Sequence, residues 1–229
     1  MFQIDVTDRW HTTFLGGCVG VLLITNVDHT GRTALLDEGK RDLERRLRQK
    51  FAGFSRTDLL KLDILKAYRD FYKRFGNTYH VQLQLESIVH KGKPLPNVSP
   101  LVDANFAAEL ETLVLTAGHD ADALEPPLTL DAAQGGEVFT GMNGSVRTLK
   151  PGDITMSDAR GIICTIICGQ DERTPISTAT HRVLYVAYAP AGVPPGAVEQ
   201  HLDLICKNVR FFAPKAVTEP LTVYTAGSS

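Results

Sequence analysis

The apolar positions of this chain change period part-way along it, and the change predicts two kinds of structure. Residues 33–51 carry Leu36, Leu43, Leu47 and Phe51 at helical spacing, with Arg41, Arg45 and Arg48 on the opposite side. Residues 58–75 repeat the pattern with Leu60, Ile64, Tyr68, Phe71 and Phe75, closed by Gly76, and predict one continuous helix. A shorter helix follows over 81–90, with Val81, Leu85, Ile88 and Val89 inward. From about residue 128 to 189 the pattern becomes short β-branched runs (LTL, EVFTG, VRTL, DITMS, GIICTIIC, HRVLYVAYA) between Gly and Pro turns, which read as strands. Two earlier strands are predicted at 2–6 and 18–24. The second, CVGVLLI, is apolar at nearly every position and so is buried on both faces. A last helix over 197–211 turns Val198, Leu202, Ile205, Cys206 and Val209 inward.

Between the two halves lies the stretch that organises the rest, KGKPLPNVSPLVDANFAAELETLVLTAGHDAD, from Lys91 to Asp122. Pro94, Pro96 and Pro100 restrict the backbone before them, so residues 93–99 should be extended and stiff. Ser99 suits an N-cap with Pro100 at the first helical position. Val102, Phe106, Leu110, Leu113, Val114 and Ala117 then predict a helix running to a Gly118 stop, with His119, Asp120 and Asp122 in the loop beyond it. A second polar segment, GQDERTPISTAT (169–180), sits between two hydrophobic strands, where a rigid scaffold can hold binding groups.

Composition narrows the field. A net charge of −2 and a pI near 6.4 argue against a surface that grips nucleic acid as a whole, but leave room for a local basic patch. The four cysteines, Cys18, Cys164, Cys168 and Cys206, form no C-x-x-C pair and no zinc spacing. They read as buried thiols of a cytoplasmic protein, with Cys164 and Cys168 on one face of a strand. No secretory pattern or membrane-length apolar run is visible, and neither metal nor cofactor is predicted. The arginines of residues 41–48 suit either phosphate contact or a solvated face. Gly16, Gly17 and Gly20 read as a bend.

Taken in order, YRDFYKRFG (68–76), KGKPLPNVSPLVDANF (91–106), HDADAL (119–124), Gly136-Glu137 and QDERT (170–174) with Thr180 downstream resemble the B-three/four tRNA-editing domain of the phenylalanyl-tRNA synthetase β chain. They are closer still to free-standing proteins made of this domain alone. The resemblance covers about residues 34–211. It implies an α+β fold in which a helical N-terminal half packs on a β-rich, sandwich-like C-terminal half. It also implies one domain over 1–212; the tail over 213–229 lacks clear periodicity and is expected to be loosely held. The function implied is hydrolysis of the aminoacyl ester of a misacylated tRNA, with the tRNA acceptor end and an amino acid moiety as partners, and no DNA and no membrane. A non-catalytic module of the same fold, binding an amino acid, a nucleotide or an RNA end, is the alternative. Carried onto this sequence, the resemblance makes His119 the catalytic residue. Asp103, Asn105, Asp120, Gln170, Asp171, Arg173, Thr174 and Thr180 become substrate-binding. Ala104 stands where the synthetases carry Thr, VLYVAY (183–188) has no acid where they carry Glu, and Ile167, Cys168 and Gly169 replace the Asn-Trp-Arg of the free-standing relatives. A pocket that reads a group other than tyrosine is therefore expected.

Overall fold

The computed structural model describes residues 2–28 and 33–227. Its elements are β1 (Ile4–Val6), α1 (Asp8–Thr13), β2 (Cys18–Thr25), α2 (Ala34–Lys50), α3 (Arg56–Leu59), α4 (Asp63–Lys73), α5 (His80–Lys91), α6 (Pro100–Thr112) and β3 (Leu115–Asp120). There follow β4 (Leu128–Ala132), β5 (Val138–Thr140), β6 (Val146–Thr148), β7 (Ile154–Asp158), β8 (Gly161–Thr165), β9 (Gly169–Gln170), β10 (Val183–Ala189), α7 (Pro195–Arg210), β11 (Val217–Thr218) and β12 (Thr222–Thr225).

The class is α+β, with helices from most of the N-terminal half and strands from most of the C-terminal half. The sheets nevertheless draw on both ends of the chain. One has the order β11-β2-β10-β3, with β12 also on β2, and is antiparallel throughout. The other has the order β1-β4-β7-β8-β9, parallel only between β1 and β4. The unbroken apolarity of CVGVLLI explains why β2 sits inside its sheet: it is buried along almost its whole length and pairs on both edges. Gly20 belongs to this strand rather than to a bend. A Cβ there would come within 2.4 Å of Val198 and 2.8 Å of Leu202, so its absence lets α7 lie directly on the strand.

Three expectations are corrected. The predicted helix over 58–75 is two helices, because Ser55 and Asp58 form a capping box that starts α3, which ends after one turn before α4 begins at Asp63. The tail is not loose: Ala213 and Ala226 are buried, and β11 and β12 pair with the edge of β2, where their backbone groups complete a ladder. Only its last two residues lie outside the described ones. The third correction is the most consequential. The helix begins as expected, with Ser99 before Pro100, although the Ser99 hydroxyl makes no cap bond. It ends at Thr112, not at Gly118. Leu113 takes a left-handed conformation (φ 64°), and the Thr112 hydroxyl accepts from the Val114 N–H at 3.3 Å. The β-branched, apolar residues that follow find a longer ladder on β10, so His119 and Asp120 lie on strand β3.

Candidate functional site

A cavity of about 490 Å³ opens between α6, β3, and the β8–β9 turn. Val102, Asn105 and Phe106 come from one side of α6, and Thr116, Ala117 and Gly118 from β3. Ile166, Ile167 and Cys168 come from the turn after β8, with Gln170, Ile176 and Tyr188 completing the wall. The strand expected to carry both thiols stops at Thr165, so Cys168 sits in the turn, yet it and Cys164 both reach the cavity.

Two buried tyrosines one helical turn apart fix these walls. Tyr68 accepts the Leu115 N–H (3.0 Å) and donates to the Tyr188 carbonyl (2.6 Å), while Tyr72 donates to the Ile166 carbonyl (2.6 Å). Tyr79 stacks on Tyr68 with ring centroids 4.2 Å apart and donates to the Leu113 carbonyl. The spacing in YRDFY therefore does more than fill a core: each hydroxyl satisfies a backbone group where the chain leaves regular structure.

The lining is mostly apolar, and it holds two buried polar atoms without an oxygen or nitrogen partner, Asn105 Oδ1 and Tyr188 Oη, the latter next to the Cys164 thiol, a weak hydrogen-bonding group. Asn105 donates to the Thr116 carbonyl at 3.3 Å. Behind it, Glu109 accepts the Thr116 N–H at 2.9 Å, and burial pushes its carboxyl up to about 8 against the donors from Thr116 and Asn105. His201 lies beside it, between the hydroxyls of Thr112 and Thr116. Thr112 donates to the Ala108 carbonyl (2.8 Å), so its oxygen accepts from His201 Nδ1–H and Nε2 accepts from Thr116. Burial pulls that imidazole down to about 3.

Of the residues carried over from the resemblance, Asn105 and Gln170 line the cavity. Most of the others form one polar cluster along the edge of β3, where His119 and Pro175 form an antiparallel bridge. Gln170 donates both amide hydrogens to carbonyls, those of Gly118 and Thr174. Thr174 donates to Asp171 Oδ1 (2.5 Å), so its oxygen accepts from His119 Nδ1–H at 2.7 Å. That leaves His119 Nε2 as a bare acceptor, buried without a partner. His119 is 0% exposed and does not line the cavity. Burial pulls it down to about 3, with Asp158 opposing the fall and Arg173 adding to it, so it is neutral at physiological pH. Arg173 is taken by Asp158 (3.1 and 3.3 Å) and Asp171 (2.8 Å). Burial pushes the Asp158 carboxyl up, but the guanidinium and backbone donors outweigh it and hold the carboxyl below its ordinary value. Thr180 donates to Asp120 Oδ2 at 2.8 Å, and Asp120 N–H to the Thr174 carbonyl.

Asp103 stands apart from all of these. It is buried against Lys40 Nζ (2.7 Å) and accepts the Val98 N–H (2.9 Å). Lys40 also donates to the Pro96 carbonyl (2.7 Å) and to Asn97 Oδ1. This pair ties down the proline-rich strap that brings Val98 to the cavity. Arg45 and Arg48 are likewise paired, with Asp42 and Glu44.

The B3/4 domain model matches residues 67–204, more than half of the sequence, and the chain belongs to that family. Among solved structures it is similar to an N-terminal fragment of the phenylalanyl-tRNA synthetase beta-subunit from Pyrococcus horikoshii, at 11% identity and a TM-score of 0.48. The similarity covers 96% of this chain and 54% of that one, so the chain spans about half the length of the fragment. No curated protein sequence matches. Among the described residues no helix is long and apolar enough to cross a membrane, and no three His, Cys, Asp or Glu side chains group as a metal site requires.

Proposed function

We propose that this B3/4 domain hydrolyses the aminoacyl ester of a misacylated tRNA, taking the amino acid's side chain into the cavity between α6, β3 and the β8–β9 turn. The observation that carries the reading is the cavity itself. It has amino-acid dimensions, a largely apolar wall, and two unpaired polar atoms of opposite use. Asn105 Oδ1 is an acceptor for an ammonium group or a water, and the Tyr188 hydroxyl is a donor. An aminoacyl ester is already activated toward attack, so a placed water and a donor near the carbonyl supply much of what its hydrolysis needs. His119 orders the loop that presents Gln170 and is not the proton carrier in this reading.

A second reading is a module that binds the same group without chemistry. It is favoured by one observation: among the described residues that line the cavity there is no carboxylate, and the buried His119 and His201 do not line it, which leaves His80 as its imidazole. Incubation with a panel of tRNAs charged with wrong amino acids separates the two. Hydrolysis predicts release of free amino acid from at least one pair, faster than spontaneous loss. Binding of a charged tRNA with no release from any pair would establish the module instead.

A further inference from the structure

Beside the cavity lies a second cleft, of about 380 Å³, lined in part by Asn77, Arg147, Lys150 and Asp153. It shares Ile167 and Cys168 with the cavity, so a single turn of chain separates the two spaces. The β5–β6 hairpin runs along both. Met142 at its tip lines the cavity and hydrogen-bonds through its N–H to the Gln170 carbonyl (3.1 Å), while Arg147 on β6 lines the cleft.

Most arginines of the described chain, Arg9, Arg46, Arg56 and Arg173 among them, lie against carboxylates. Arg147 has no carboxylate partner among the described residues; its Nε donates weakly to Ser145 Oγ (3.4 Å), leaving both terminal nitrogens to the cleft. Lys150 donates to the Phe75 carbonyl (3.1 Å), which holds the ammonium at the rim without neutralising it. The Asp153 carboxyl is buried, accepts the Ile167 N–H, and is pushed by burial up to about 7, so its opposition to an anion is weakened near neutrality. A guanidinium with two free donors beside an ammonium suits a phosphate.

Building on the cavity reading above, we propose that this cleft binds a backbone phosphate of the same RNA strand whose aminoacylated end enters the cavity, with Arg147 and Lys150 as its ligands. The β8–β9 turn then separates the ester from the phosphate, and the hairpin spans both.

The test measures two affinities as a function of salt. One probe is an acceptor-stem minihelix carrying a non-hydrolysable amide-linked amino acid. The other is the same aminoacyl group on adenosine alone, which has no phosphate. The double variant Arg147→Ala/Lys150→Ala should weaken minihelix binding roughly tenfold or more and lower the salt slope by about 0.7, one phosphate's worth on a single strand. Adenosine-probe binding should stay within about twofold in that variant. Equal minihelix affinity and slope in wild type and variant, with an unchanged melting temperature, would overturn the cleft assignment. So would a wild-type protein that binds the adenosine probe but not the minihelix. Loss of adenosine-probe binding in wild type with a variant-sensitive minihelix would instead strike the cavity reading and leave the cleft standing. Arg147→Glu guards against a neutral compensation: it should weaken the minihelix further.

Discussion

The cavity wall and the polar cluster along the edge of β3 use their residues in opposite ways. On the cavity side the chain presents Val102, Phe106, Ile166, Ile167 and Ile176, with two polar atoms left unpaired. Along the edge of the strand, His119, Thr174, Asp171, Arg173 and Asp158 form a cluster joined largely by hydrogen bonds and ion pairs. The residues that look most reactive in the sequence therefore hold a loop in place, and the accessible space is mostly hydrocarbon. Chemical type alone does not mark a site; exposure and unmet hydrogen-bonding capacity do.

That contrast makes the supporting polar groups matter most for stability. Lys40→Met leaves Asp103 buried without its cation and releases the proline-rich strap. It should cost about 3–5 kcal/mol in denaturant unfolding. Lys40 and Asp103 do not line the cavity, so a stable Lys40→Met protein would show that the strap holds without this pair. Arg173→Ala should cost about 3 kcal/mol, because Asp158 keeps only its backbone donors. A loss of RNA affinity at unchanged stability would return Arg173 to the role of a substrate ligand.

Buried titratable groups set the pH dependence. His119 and His201 stay neutral in the fold down to about pH 3, so between pH 3 and 6.5 the unfolded chain binds more protons and stability rises with pH. Glu109 and Asp153 keep their protons up to about pH 8 and 7, so above about pH 4.5 the folded chain binds more and stability falls as pH rises. Between about pH 4.5 and 6.5 the two pairs oppose one another. Stability should therefore peak on the acid side of neutrality and decline toward pH 8, by at most roughly 1.4 kcal/mol per pH unit for each unbalanced proton. Glu109→Gln should flatten the alkaline limb. A curve that rises from pH 6 to 8 would show that these carboxyls are ionised in the fold. The smallest effect on stability is expected at the cavity wall. Asn105→Ala should cost about 1 kcal/mol, since its bond to the Thr116 carbonyl is long, while lowering turnover at least tenfold. A wild-type rate would remove Asn105 from the chemistry.

Much of the fold could be read from period and composition. The helices α2, α5 and α7, the buried strand β2 and the strands after residue 128 follow their apolar spacing. What could not be read was decided by tertiary partners. Residues 113–118 continue a helical pattern locally, and only the ladder offered by β10 makes them a strand. The tail lacks period because β11 and β12 are short pieces on an edge. The family's motif order pointed to Asn105 and Gln170, and both line the cavity. The burial of His119 and Asp103 was not, since a polar residue's sequence gives no sign of which side of a strand or helix is covered. Tyr68 and Tyr72 carried a signal in their spacing, but their bonds to Leu115 and Ile166 join segments far apart in sequence. The cleft at Arg147 had no local signature at all.

The most direct measurement is the rate of amino acid release from the best-hydrolysed mischarged tRNA, compared between wild type and Val102→Trp, whose indole would fill the cavity from its half-exposed α6 wall. Release should fall at least tenfold while the melting temperature stays within a few degrees of wild type. An unchanged rate in a folded Val102→Trp protein would mean that the cavity does not receive the aminoacyl group.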